Sequence, residues 1–270
     1  NLFYQNMPRL SVDIDLVYLP LVGKDDAMKD VREQLYHFQQ KLTKLGLRAS
    51  HTGLGANNPF GKLVISNQQA SIIVEPNPVN RGTVLDPILK PLVASAVEEF
   101  EMDVDVKCLA EPELYAGKFI AMLDRQHPRD IFDMMQFFEQ HKSIEGIMEL
   151  VMVYLIQSNR PFHELLNPNM KDIADDFKLA FQGMTKIPVE LKQLVEHRKM
   201  LVDQLHQNLK TSHIELLISL LNNKPLWDLL PFSNLKDFPG IKWRLQNLEK
   251  VDESKRMIEI DKLKTLKVAN

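Results

Sequence analysis

Cysteine is all but absent from this chain: Cys108 is the one cysteine among 270 residues. A lone cysteine excludes an intramolecular disulfide and a cysteine cluster for zinc, and it fits a reducing cytoplasm. Long hydrophobic runs are missing as well. The most apolar stretch, Ile147 to Ile156, is too short to span a bilayer and is interrupted by Glu149. No signal peptide is visible, so a cytoplasmic protein without membrane contact is expected. Glycine is sparse, and none of it forms a phosphate-cradling loop of the P-loop or Rossmann type. Ser11 lacks the flanking glycines of a nucleophile elbow, and no Ser-His-Asp arrangement is evident. The net charge of -3 excludes a global basic field for nucleic acid but leaves a local basic patch open. Trp227 and Trp243 are expected to pack. No internal repeat is found.

What is present begins with Arg9-Leu10-Ser11-Val12-Asp13-Ile14-Asp15-Leu16-Val17-Tyr18. Asp13 and Asp15 alternate with Val12, Ile14 and Leu16, the period-2 pattern of a strand. Residues i and i+2 of a strand share a face, so both carboxylates project together. Like charges that close are costly unless a cation lies between them or one is protonated, and a hard divalent ion such as Mg2+ suits oxygen donors of this kind. A half-exposed strand with an acidic face would read the same way.

Strands come first and helices later. Lys24 to Leu45 has apolar positions at Ala27, Met28, Val31, Leu35, Phe38, Leu42 and Leu45, a helical spacing that Gly46 ends. Leu47–His51, Lys62–Ser66 and Ala70–Glu75 read as strands, with Gly53–Gly61 a loop and Asn77–Pro91 a proline-rich extended connection. Leu92–Phe100 reads as helix and Val104–Leu109 as a last strand. Beyond them, Leu114–Asp124, Pro128–His141, Ile144–Ile156, Asp172–Phe181 and Glu190–Leu209 all carry helical periodicity. The order implies an α+β domain, residues 1–95, followed by a helical domain, residues 96–270.

Three further groups bear on chemistry. Glu75 ends the apolar run Ile72-Ile73-Val74. It is either a third acid for a site of one or two Mg2+ ions or a solvent-facing glutamate at a strand end. Lys118 and Arg125 lie two helical turns apart, near Asp130 and Asp133 of the next helix. The two cations could grip a triphosphate, or the cluster could be a surface network in which Arg129 pairs with Asp133. His127 sits in the same turn, as a loop or capping residue. The lysine-rich stretch Lys236 to Lys267, with Trp243 among mixed charges, reads as a solvated helix face or as a contact to RNA phosphates.

Taken in order, these blocks resemble a known family. Arg9 to Leu16 is similar to the acidic-strand motif of the AbiEii/AbiGii-type nucleotidyltransferase toxins. Glu75-Pro76-Asn77-Pro78-Val79-Asn80-Arg81-Gly82-Thr83 resembles that family's next block. Gly117-Lys118 through Arg125, then Arg129-Asp130-Ile131-Phe132-Asp133, resembles its lysine and aspartate motifs, and Phe238 to Leu248 also looks familial. The resemblance implies a polymerase-β-like nucleotidyltransferase core, a mixed sheet with flanking helices, followed by a helical C-terminal domain. It implies a nucleoside triphosphate as substrate, Mg2+ (with Mn2+ as a substitute), and transfer of a nucleotide onto an acceptor such as tRNA. It also implies the toxin role of a toxin–antitoxin pair, with a cognate antitoxin as partner. By this resemblance Asp13, Asp15 and Glu75 bind metal, Ser11, Lys118 and Arg125 contact the nucleotide, and Asp130 is the late essential aspartate.

The family also carries a Gly-Gly-Thr or Gly-Ser turn some ten residues before the acidic pair, and this sequence begins too late to include it. An upstream segment is therefore expected. Two other readings accompany the main one: transfer of a nucleotidyl or phosphoryl group onto a protein hydroxyl, and a catalytically degenerate binding protein.

Overall fold

A computed structural model describes residues 1–11, 13–53, 60–266 and 268. Val12 and residues 54–59 of the expected loop lie outside the described residues. The chain forms two compact units. One comprises Ser11–Gly82 with Lys236–Lys242; the other comprises Asn1–Leu10, Thr83–Leu235 and Trp243–Asn270.

The smaller unit is a four-stranded sheet with one helix on its face. Its strands are β1 (Asp13–Leu16), β2 (Arg48–Thr52), β3 (Lys62–Ser66) and β4 (Ser71–Pro76), in the order β1-β4-β3-β2. β1 runs parallel to β4, and the other pairs are antiparallel. Helix α1 (Lys24–Lys44) fills the connection between β1 and β2. Its first turn carries Asp25 and Asp26 and its last turn Lys41 and Lys44, which complement the helix dipole at both ends. Ala27, Val31, Leu35 and Leu42 form its buried stripe, packed with Phe60, Leu63, Ile65 and Val74 of the sheet side. Phe38 and Leu45, which share the apolar spacing in the sequence, are exposed.

The expected Glu75–Thr83 block forms the turn that leaves β4. The Asn77 side chain accepts from the N–H groups of Val79 and Asn80, each at 2.9 Å. Arg81 is buried and donates to the carbonyls of Val22 and Gly23, just ahead of α1. Gly82 has φ +81°, donates its N–H to Tyr18 O at 2.8 Å, and leaves no room for a Cβ against Leu21 Cδ2. Gly82→Ala is therefore expected to destabilise the protein by about 1–3 kcal/mol, the usual cost of a side chain forced into the left-handed region. The check is the urea midpoint; an unchanged value would mean the turn tolerates a Cβ.

The larger unit adds a two-stranded sheet and helices. β5 (Ile88–Pro91) pairs antiparallel with β6 (Asp105–Cys108), and helix α2 (Ala94–Phe100) joins them. The proline-rich connection expected over Asn77–Pro91 thus ends as a strand. Pro91 is accommodated because a two-stranded sheet consists of edge strands, where a missing N–H need not break a ladder. The helices follow as α3 (Glu111–Arg125), α4 (Pro128–His141), α5 (Met148–Gln157), α6 (Phe162–Leu166), α7 (Ala174–Ala180), α8 (Leu191–Asn208) and α9 (Thr211–Leu221); α10 (Pro239–Glu249) is divided between the units after Lys242, and α11 (Glu253–Lys264) belongs to the larger one. The core of this unit gathers Tyr115, Phe119, Met122, Ile131, Met134 and Val151, all nearly inaccessible. No helix among the described residues is long and apolar enough to cross a membrane.

The first ten residues belong to this larger unit. Leu10 donates to Met184 O, Lys186 to Pro8 O, and Val93 to Leu2 O. Gln5 bonds Tyr115, and Gln140 donates to Gln5 Oε1 at 2.9 Å.

Candidate active site

The two units each hold one of the constellations the sequence singles out. On the smaller unit, the register of the sheet fixes which side chains share a face. Ile14 lies opposite Val74 and Asp15 opposite Glu75, while Leu63 lies opposite Val74 and Ile65 opposite Ile72. Val74, Leu63 and Ile65 are buried with α1. By alternation, Asp13, Asp15 and Glu75 occupy the other face, which α1 does not cover. Asp13 and Asp15 are exposed and Glu75 is partly buried. Ser11, just upstream, is exposed too.

Glu75 is not idle on that face. Lys62 of β3 donates to Glu75 Oε2 at 2.7 Å. Among the described residues, no three His, Cys, Asp or Glu side chains gather as a ready-made metal cluster. The donor chemistry of the pair Asp13 and Asp15 nevertheless fits a hard divalent ion. Mg2+ commonly takes one or two protein carboxylates and completes its shell with water and substrate phosphates.

On the larger unit, Lys118 of α3 projects to α4, but its partner is Asp133 rather than Asp130. Lys118 Nζ donates to Asp133 Oδ2 at 2.6 Å. Arg9 approaches the same carboxylate in bidentate fashion, Nε to Oδ1 at 2.7 Å and Nη2 to Oδ2 at 2.8 Å. Asp133 is only 5% exposed. Burial pushes its carboxyl pKa up, but the Lys118 ammonium and the hydrogen bonds from Arg9 and Lys118 outweigh that, and the group is held below the usual carboxylate range. Lys118 keeps 30% of its side chain exposed, so a partly exposed lysine is tied through its ammonium to a buried anchor.

Asp130, also buried, belongs to Arg125: Arg125 Nη2 donates to Oδ1 at 2.7 Å, and Nε to Oδ2. Lys118 and Arg125, read as a joint grip on one face, are thus each tied to a different aspartate of α4. The surface pair expected between Arg129 and Asp133 gives way to the buried one with Arg9 and Lys118. His127 is the capping residue of α4, its Nδ1 accepting from Arg129 N at 3.1 Å, with Pro128 at the first helical position. Burial lowers its pKa, which keeps that nitrogen free to accept.

Three residues of these constellations escape a reading from sequence: Arg9, Lys62 and Asp133 as the anchor of Lys118. The signal for Lys62 lies in the β3–β4 pairing, and that for Arg9 in a contact across the length of the unit. Trp243, expected to pack, is 50% exposed. In α10 Ile241, Arg244 and Leu248 are buried, spaced by three and four, and Trp243 falls off that stripe.

The family described as Nucleotidyl transferase AbiEii toxin, Type IV TA system, matches residues 1–230. The chain belongs to the AbiEii nucleotidyltransferase toxin family. It is thus a nucleotidyltransferase and the toxin component of a type IV toxin–antitoxin system, which implies a cognate antitoxin. By structure, this AbiEii-family chain is similar to MenT4, a nucleotidyltransferase toxin from Mycobacterium tuberculosis H37Rv, with a TM-score of 0.57 at 15% identity over 98% of this chain and 81% of that one. That likeness speaks to the fold: an α+β nucleotidyltransferase core of the polymerase-β type with a helical extension. No curated protein matches the chain.

Proposed function

We propose that this AbiEii-family toxin moves a nucleotide from a nucleoside triphosphate to an RNA acceptor, tRNA foremost, in a reaction that depends on Mg2+ and takes place in the cytoplasm. The observation that carries the metal dependence is the exposed pair Asp13 and Asp15, side by side on the face of β1 opposite α1 with Glu75 in register beside them. In such a transfer the acceptor hydroxyl oxygen bonds to the α-phosphorus. The bond from that phosphorus to the α–β bridging oxygen breaks, pyrophosphate leaves, and the hydroxyl proton passes to solvent. Mg2+, when bound, neutralises charge on the phosphates and steadies the entering and leaving oxygens.

The protein's own residues do the rest. Asp13 and Asp15 hold the ion, and Ser11 lies at the entry of the same strand to bond the nucleotide. Lys118 is proposed as the ligand of a phosphate oxygen, and Asp133 keeps its flexible side chain in one orientation before substrate arrives. Arg125 supplies a second cation, with Asp130 as its anchor. Support for a cytoplasmic location comes from the lone cysteine and from the substrates themselves.

The test is incubation with each of the four labelled triphosphates, Mg2+ and total RNA. Label is expected on RNA with one or two of the four, and chelation of the metal should abolish it. Label on protein rather than RNA would replace the acceptor by a protein hydroxyl. No label with any triphosphate, from the full-length protein, would leave a binding protein instead.

A further inference from the structure

The pair formed by Lys62 and Glu75 places a fixed cation on the acid face. β4 lies between β3 and β1, so Glu75 has Lys62 on one side and Asp15 in register on the other. Neighbouring strands stand about 4.8 Å apart, which puts a carboxylate within reach of either an ammonium or an ion held by Asp13 and Asp15. The 2.7 Å contact gives it to the ammonium. To bind an ion as well, Glu75 would have to loosen that bond and bring Lys62 close to a divalent cation, a repulsive approach.

Charge counting gives the pair a purpose. The Lys62–Glu75 pair adds no net charge to the face. A free third carboxylate would add one negative charge there, facing a polyanionic triphosphate, whatever else lies against Asp13 and Asp15. Resting on the metal-dependent reading above, we propose that Lys62 is a positioning residue of the metal site. It holds Glu75 in a cross-strand ion pair, so that Asp13 and Asp15 alone supply the protein's carboxylates to the ion, and the face presents one negative charge fewer to the nucleotide.

This makes the effects on metal and on nucleotide opposite in sign, which a merely structural ion pair would not do. The probe is Mn2+, followed by the electron paramagnetic resonance signal of the free ion, with a non-hydrolysable triphosphate titrated in parallel on the full chain. Glu75→Gln should leave Mn2+ affinity within about twofold of wild type, whereas loss of a true ligand costs on the order of tenfold or more. Lys62→Met frees Glu75 and should tighten Mn2+ binding by about threefold or more while weakening the triphosphate. Lys62→Arg should restore both, and the gain in Mn2+ affinity should vanish in the double variant Lys62→Met with Glu75→Gln. Melting curves with unchanged midpoints establish that each variant is folded. A tenfold loss of Mn2+ affinity in Glu75→Gln would overturn the proposal, because Glu75 would then be a ligand. Unchanged Mn2+ affinity in Lys62→Met would overturn it too. Wild-type Mn2+ binding in Asp13→Asn would be a different failure: it would sink the metal-dependent reading itself, and this inference with it.

Discussion

Asp13→Asn and Asp15→Asn are each expected to lower nucleotidyl transfer by about a thousandfold or more, close to 4 kcal/mol of transition-state stabilisation, without lowering the melting temperature. The amide keeps the shape of the side chain and removes the charge that holds the ion. Both residues are exposed on the sheet face opposite α1, so no packed core is disturbed. Removing one of two like charges two residues apart relieves a repulsion, and any contact made by an exposed carboxylate is worth little to stability. Rate and stability should therefore separate cleanly. The measurement is label transfer from the preferred triphosphate beside a thermal melt, at fixed Mg2+. Activity within tenfold of wild type for both variants would remove the two carboxylates from the catalytic machinery. A fall in activity accompanied by a large drop in melting temperature would show that they act through the fold.

The parts of this molecule that sequence makes legible are those encoded locally. The period-2 alternation around Asp13 and Asp15 gives strand β1 and the shared face. The three-and-four spacing of Ala27, Val31, Leu35 and Leu42 gives α1 and its buried stripe. Pro128 and His127 together give the start of α4. What stays hidden depends on pairing at long range. β1 finds β4, with β2 and β3 intervening in the chain, and no local pattern encodes that parallel register or the arrival of Lys62 at Glu75.

The aspartates of α4 show the same limit on a helix. Asp130 and Asp133 lie one turn apart with equal claims on the cations of α3. The choice falls to Arg9, which reaches Asp133 from 124 residues away and makes that carboxylate the shared one. Arg125, at the end of α3, is left with Asp130. Trp243 fails for a related reason. Its neighbour Arg244 is the residue that turns inward, stacking over the Phe162 ring at 4.7 Å and donating to the carbonyls of Asn159 and Arg160. A buried arginine held through its terminal nitrogens by backbone oxygens leaves no trace in a hydrophobicity pattern.

Asp133→Ala is expected to be the most destabilising single change among the charged residues of these constellations, costing about 3–5 kcal/mol at neutral pH. Asp133 is buried and accepts three hydrogen bonds, two from Arg9 and one from Lys118. Its removal strands the guanidinium of Arg9, itself 10% exposed, without a counter-charge. Lys118→Met is expected to behave differently. It leaves the bidentate pair of Arg9 and Asp133 intact, so stability should change little, while transfer should fall if the ammonium holds phosphate.

The pH dependence separates charge from packing. The folded pKa of Asp133 lies below its unfolded value of about 3.9. Its contribution is therefore fully present above that unfolded value, and it is lost as pH falls through the folded pKa. The stability gap between wild type and Asp133→Ala should be constant from about pH 5 to 7 and shrink below about pH 4. Urea unfolding at a series of pH values reads this directly. A gap that persists undiminished in acid would mean that Asp133 stabilises through packing and not through its charge. Lys118 would then lose the electrostatic anchor that gives its ammonium a fixed direction.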